Sequence, residues 1–277
     1  MSGRVSGKVA IVVGGGQTPG ETIGNGRATV ALLAREGATV VVADRDVDSA
    51  QVTVDIVLQE GGDAVARGVD ATDETSVRDM IEYVASQYGS IDILHNNVGA
   101  SLALGDTVAT ALTEEAFDRS FAVNLKSHWM ACKHAIPIMR KQGRGSIVNI
   151  SSIAALEAYP YVAYKTMKTA IIALTQNLAS AHADAGVRVN AILPGLVNTP
   201  MAIEPRVAQG TPREDVVAMR NARTPLGKRM GTAWDVAYAA LFLHSDEARF
   251  ISGIWLPVDG AAWASQGKNI WQDPPPS

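Results

Sequence analysis

The chain of 277 residues contains a single cysteine, Cys132. One thiol excludes an internal disulfide framework and fits a reducing compartment. Charge is scarce: charged residues make up 19% of the chain, with 24 Lys+Arg against 28 Asp+Glu. A net charge of −4 lacks the basic face of a phosphate-backbone binder, so no nucleic-acid partner is expected. No apolar run approaches the roughly 18 residues needed to cross a bilayer, so no membrane partner is expected either. The first apolar run, Val9–Val13, is shorter than a secretion-signal core of about 7–15 residues. A cytoplasmic location is therefore expected. The histidines His95, His128, His134, His182 and His244 show no metal-ligand spacing, and no metal is expected.

Small and apolar residues are plentiful. Glycine occurs 25 times and 47% of residues are hydrophobic, which points to close packing around an ample core. Short β-branched runs alternate with longer amphipathic stretches. Lys8–Val13, Thr39–Ala43, Ile91–His95, Ser146–Ile150, Arg188–Ile192 and Ile254–Val258 read as buried strands. Arg27–Glu36, Ser76–Gln87, Glu114–Lys141, Tyr164–Ala183 and Thr232–His244 read as helices. Residues 200–230 show no clear periodicity. The alternation predicts an α/β fold, one doubly wound parallel sheet of Rossmann type with helices on both faces. A single domain is expected over residues 1–265, with a Pro-rich tail at 266–277.

Val9–Val13 runs directly into a glycine-rich segment, Gly14–Gly26, that leads into a helix. Glycines at a strand-to-helix turn let the backbone approach a pyrophosphate, and the helix N-terminus offers free N–H groups. Gly14, Gly24, Asn25 and Gly26 are the candidate contacts. Asp44 ends the next strand, 20 residues past Gly24, the spacing of a carboxylate that binds a ribose diol. A carboxylate there repels a 2′-phosphate, and no Lys or Arg lies in 14–26, so NAD is favoured over NADP; Arg45 is the counter-signal.

Several spaced motifs carry a family likeness. Asn96-Asn97-Val98-Gly99 follows the fourth strand read from sequence, Asn149-Ile150-Ser151-Ser152 ends the next, and a Tyr-x-x-x-Lys follows. Pro194-Gly195 with Thr199, and Pro257–Gly260, come later. Together these resemble the short-chain dehydrogenase/reductase family over nearly the whole length. Two Tyr-x-x-x-Lys frames exist, Tyr161–Lys165 and Tyr164–Lys168. The family's serine lies about a dozen residues before its tyrosine. Ser152 precedes Tyr164 by 12 and Tyr161 by 9, which assigns Tyr164 and Lys168 and leaves Tyr161 and Lys165 as pocket-wall and surface residues.

The resemblance implies a hydride transfer between a nicotinamide cofactor and an alcohol or ketone. Tyr164 would be the acid/base, its phenol pKa lowered from about 10 by the Lys168 ammonium. Ser152 would hydrogen-bond the substrate oxygen, and Asn124 would support a water chain to the lysine. Asp70 and Ala71 (adenine), Asn97, Val197 and Thr199 (nicotinamide), and Lys168 (ribose) are implied cofactor contacts. A homotetramer is also implied. Leu102, Leu104, Leu156, Tyr159, Tyr161, Leu196 and Met201 point to an apolar pocket for a cyclic or aromatic small-molecule alcohol or ketone. Two rival readings are a cofactor-binding sensor with little turnover and an isomerase or dehydratase on the same fold. One departure stands out: the family's second loop glycine follows the first by four residues, whereas Gly14 to Gly24 is ten. The extra six residues are expected to form a lobe near the cofactor's phosphates or adenosine, with Glu21 pointing away.

Overall fold

The computed structural model describes residues 3–265; the Pro-rich tail expected at 266–277 lies outside them. Seven strands form one sheet: β1 (Val9–Val13), β2 (Thr39–Asp44), β3 (Asp63–Gly68), β4 (Ile93–Asn96), β5 (Gly145–Ile150), β6 (Val187–Pro194) and β7 (Trp255–Val258). Every neighbouring pair is parallel, in the order β3-β2-β1-β4-β5-β6-β7. Between β1 and β4 the winding reverses direction. Such a switch point opens a crevice beyond the carboxyl ends of the strands, where α/β sheets bind ligands.

Nine helices flank the sheet among the described residues: α1 (Asn25–Arg35), α2 (Val47–Gln59), α3 (Glu74–Tyr88), α4 (Glu114–Phe121), α5 (Ser127–Gln142), α6 (Val162–His182), α7 (Pro200–Ala208), α8 (Arg213–Arg223) and α9 (Ala233–His244). On one face, α3, α5 and α6 bury Ile81, Met130 and Ala179 against Ile11, Leu94, Ile147 and Val189. On the other, α1, α2 and α9 bury Leu33, Val54 and Leu241 against Ala10, Val12, Val40 and Ile93. Each large aliphatic side chain so buried contributes about 1.5–3 kcal/mol.

Three stretches differ from the sequence reading. The stretch from Arg45 to Val69, left unassigned, holds α2 and β3. The β-branched residues of α2 resemble a strand, but Asp46 caps it by accepting from Ser49 N–H, and Ala50, Thr53, Val54 and Val57 bury one helical face. β3 is an edge strand with exposed ends and only half-buried interior positions, so its apolar signal is weak. Residues 200–230 form α7 and α8; Pro200 fits the first turn of α7, while the short helices and Pro205 obscure their periodicity. The long helix expected over Glu114–Lys141 is interrupted at Ala122–Lys126 by a π-helical turn.

Candidate active site

The glycine-rich turn begins where β1 ends. Gly14 has φ +85°, a conformation that favours glycine. A side chain on Gly26 would collide with the Gly14 carbonyl oxygen, so α1 packs directly against the strand end. Asn97 Nδ2 donates to that same carbonyl at 2.9 Å. Gly24 caps α1 without a side-chain hydrogen bond, and the first turn of α1 holds no acid. Its leading N–H groups and positive potential therefore face the turn uncompensated. Asn25 Oδ1 is buried there without a partner.

Asp44 ends β2 beside this turn. Its Oδ2 accepts from Gly16 N–H at 2.9 Å and its Oδ1 from Asp46 N–H at 3.1 Å. Each oxygen keeps a lone pair for a further donor. Open donors at a helix start, together with an acceptor one strand away, fit a dinucleotide. Asp70 and Ala71 follow β3 along the same crevice. Hydrogen bonds from the Thr72 hydroxyl and N–H hold the Asp70 carboxyl below its ordinary range, and Ala71 is buried.

The inserted lobe is built on Gln17. Its N–H donates to Ser49 Oγ at 2.9 Å, and its side chain accepts from Gly24 N–H at 2.9 Å and donates to Thr22 O at 3.3 Å. The tip leans onto α7, where a Cβ at Gly20 would stand 2.6 Å from Glu204 Oε1 and 2.9 Å from Pro200. Glu21 lies 3.4 Å from Arg213 of α8, which also pairs with Glu204 at 2.7 Å. The lobe thus reaches α7 and α8.

α6 carries Tyr164 and Lys168 one turn apart, both buried. Lys168 Nζ donates to Ile150 O at 2.8 Å and lies 5.6 Å from the centre of the Tyr164 ring. Ser152 follows β5, and its Oγ accepts from Ala154 N–H at 3.1 Å. Asn124 lies buried in the π-helical turn, a distortion that often marks functional sites. Its Oδ1 accepts from Ala100 N–H at 3.0 Å and its Nδ2 donates to Ala100 O at 2.8 Å. Gly99 passes between these groups: a Cβ there would stand 2.9 Å from Lys168 Nζ and 3.1 Å from Asn124 Oδ1. The four residues singled out from sequence as catalytic are therefore gathered beyond the carboxyl ends of β4 and β5.

The electrostatics correct one expectation. Burial pushes the Tyr164 phenol above its ordinary value, Tyr159 adds to this, and hydrogen bonding to Ser152 opposes it. Burial also brings the Lys168 ammonium, 5.6 Å from the centre of that ring, down to about 7. Desolvation is the leading cause for both groups. At neutral pH Tyr164 is a protonated phenol, which suits donation to a carbonyl oxygen.

The other tyrosine frame is occupied differently. Tyr161 caps α6 with its backbone and packs edge-on against Tyr159, with 5.5 Å between ring centres. Lys165 is no surface residue: its half-buried ammonium donates to Ala154, Ala155 and Glu157 carbonyls. It holds the turn that follows Ser152. Val197, buried after β6, pairs with Gly231 in an isolated parallel bridge, and Thr199 is buried at the cap of α7.

Asp106, missed from sequence, is buried in the loop after β4 and caps α6 from outside. Its Oδ1 accepts from Ala163 N–H at 3.0 Å and its Oδ2 from Tyr164 N–H at 2.9 Å. The only hint in the sequence is the lack of a Ser, Thr, Asp or Asn immediately before Val162.

A seven-stranded parallel sheet, a glycine turn at its switch point and a Ser–Tyr–Lys–Asn cluster beside that turn define a Rossmann-type oxidoreductase. Comparison with known proteins agrees. A family model described as enoyl-(acyl carrier protein) reductase matches residues 21–261. The 2,5-dichloro-2,5-cyclohexadiene-1,4-diol dehydrogenase of Sphingobium indicum is 35% identical over 94% of this chain and 98% of its own. The 7alpha-hydroxysteroid dehydrogenase of Clostridium sardiniense is 37% identical over 93% and 94%. A solved structure from Burkholderia xenovorans, assigned to the short-chain dehydrogenases/reductases, superposes with a TM-score of 0.90 at 38% identity, covering 95% of this chain and 98% of that one. The chain belongs to the short-chain dehydrogenase/reductase family, whose members use nicotinamide cofactors. No helix among the described residues is long and apolar enough to cross a membrane.

Proposed function

We propose that the protein interconverts a secondary alcohol and a ketone with NAD, and that Tyr164 exchanges the proton. The observation that carries this reading is the convergence of Ser152, Tyr164, Lys168 and Asn124, with Gly99 leaving room between Lys168 and Asn124. A pure cofactor sensor has no need of that alignment. The nicotinamide, when bound, supplies or accepts the hydride. The chain does the rest. Ser152 hydrogen-bonds the substrate oxygen and stabilises its developing charge. Tyr164, kept protonated by burial, gives its proton to a carbonyl oxygen. Lys168, Asn97, Val197 and Thr199 are the residues that would hold the nicotinamide end.

NAD is preferred over NADP because the Asp44 carboxylate would stand at the adenosine ribose and repel a 2′-phosphate. Exposed Arg45 lies within the field of Asp70, which competes for its charge. Assembly as a homotetramer is supported by Phe117, Phe121 and Trp129, which are exposed on α4 and α5, and by an apolar groove that Phe121, Leu125 and Trp129 share with Ala170 and Leu174 of α6. The reading is tested by following the near-ultraviolet absorbance of reduced nicotinamide with NAD or NADP across a panel of secondary alcohols and ketones. NAD-linked turnover of at least one member is expected. No signal from any member, with cofactor bound, contradicts it.

A further inference from the structure

Arg220 is an unusual residue for the place it occupies. It lies on α8 facing Val197 and is only 7% exposed. Its Nε donates to the Met230 thioether at 3.2 Å, and one Nη donates to Val197 O at 3.4 Å. Neither acceptor carries charge, and the second bond is long. The other Nη has no acceptor among the described residues, yet it is not sealed inside the protein. Arg188 shows what a structural arginine looks like here: it is held by the carbonyls of Leu243, Ser245 and Ile251 and by Ser146 Oγ.

The charged neighbours of Arg220 make its position costlier. Arg206 and Arg223 both repel it; the Tyr159 phenol is the one group that draws charge to it. Arg206, on α7, makes a hydrogen bond only to Ala202 O and no ion pair among the described residues. Glu204, the nearby acid of α7, is already paired with Arg213. A buried guanidinium facing like charges is stabilised chiefly by an anion, and here the chain's described residues provide none.

The location tells which anion. Val197 belongs to the segment between β6 and α7 on the nicotinamide side of the crevice. Tyr159 packs on the Tyr164 ring at 5.9 Å between centres and lies within the field of both Arg206 and Arg220. Tyr159 thus sits close to the proton donor and within reach of the charge of both guanidiniums.

We infer that Arg220, with Arg206 beside it, is an anion subsite at the far end of the substrate cleft, so the alcohol or ketone carries a carboxylate or sulfonate. A planar guanidinium suits such an oxyanion, which it can bind through two donors at once. This deepens the proposed function and rests on it for the chemistry, but not for the binding. It adds a cationic far end to the apolar pocket expected from sequence.

The test uses the full chain with saturating NAD and matched pairs of aliphatic hydroxy acids and their primary amides of equal length. The wild type is expected to use the acid with a KM roughly 10–100-fold below that of the amide, at similar kcat. Arg220→Gln is expected to abolish that preference while still turning over the amide, and Arg220→Lys to keep part of it. Should Arg220→Gln fail to fold, Arg206→Gln, with a smaller loss, carries the same test. Equal use of acid and amide by the wild type overturns the subsite, as does an equal loss of both in Arg220→Gln. Calorimetric titration with hexanoate and hexanamide separates the two claims. Hexanoate binding that Arg220→Gln removes, without turnover of any pair, supports the subsite and counts against the proposed alcohol–ketone turnover. Turnover of amides without hexanoate binding overturns the subsite alone.

Discussion

The Asp106 carboxylate accepts the backbone N–H of Tyr164 at 2.9 Å, across 58 positions of sequence. It also accepts the N–H of Ala163, while the Thr107 carbonyl takes that of Val162. The first turn of the helix that carries Tyr164 and Lys168 is thus closed by the loop that follows β4 and Gly99. A carboxylate at that helix start also meets the positive end of the dipole.

Asp106→Ala leaves two buried N–H groups without an acceptor. A loss of about 2–3 kcal/mol in unfolding free energy is expected, together with a fall in kcat larger than any change in cofactor affinity. Asp106→Asn keeps one acceptor oxygen and should recover roughly half the stability. Urea denaturation beside steady-state kinetics checks both. An Asp106→Ala variant as stable and active as the parent contradicts the capping role.

Gly99→Ala places a methyl group 2.9 Å from Lys168 Nζ. The ammonium is displaced from Ile150 O while the surrounding sheet is untouched. Turnover is expected to fall by about 10-fold or more, with the far-ultraviolet dichroism unchanged. Gly26→Ala is expected instead to weaken cofactor binding, because its methyl group meets the Gly14 carbonyl. Parent-like kinetics in Gly99→Ala counts against the close approach of Lys168 and Asn124.

Lys168→Met is expected to lose turnover and yet gain stability, most at and below neutral pH. The folded ammonium titrates at about 7, against 10.5 for an unperturbed lysine. Between those values the unfolded chain holds more protons, so the parent becomes more stable as pH rises through that window. The burial penalty is at full size below pH 7 and fades toward 10.5. Denaturation curves at about pH 6.5 and about pH 10 should show the variant's advantage shrinking with pH. An advantage that grows with pH contradicts it.

His95, His128 and His244 are fully buried, and burial is the main cause that lowers each; His95 and His128 fall to about 3. His95 Nδ1 lies 3.3 Å from His244 Nε2, and His128 Nε2 lies 3.0 Å from Val98 O. Unfolded histidine takes up its proton near 6.5. Below that pH the unfolded state therefore binds more protons, and stability falls as pH drops from about 6.5 toward 3. The slope is about 1.4 kcal/mol per pH unit for each such group. His95→Gln should flatten the dependence. Constant stability between about pH 8 and about pH 4.5 contradicts the neutral buried state.

Much of the site was legible in the sequence because its determinants are local. The turn after Val13 needs glycine where the backbone is crowded, and the Ser152–Tyr164 spacing favours one of the two tyrosine frames. What was not legible depends on contacts distant in sequence. α2 is rich in β-branched residues and is made helical by its Asp46 cap and its packing on the sheet. Lys165 reads as a surface lysine until the 153–157 turn folds back onto it. Asp106 caps a helix more than fifty positions away. The electrostatic expectation for Tyr164 failed for a related reason: helical spacing shows the lysine, but not how completely both groups lose water.

Turnover by Tyr164→Phe beside Tyr161→Phe, with NAD affinity measured on both, tests most directly whether Tyr164 moves the proton. Tyr164→Phe is expected to lose about 10²–10⁴-fold in kcat with NAD affinity retained, and Tyr161→Phe to stay within about 10-fold of the parent. An active Tyr164→Phe paired with an inactive Tyr161→Phe would move the chemistry to the other frame and contradict the assignment.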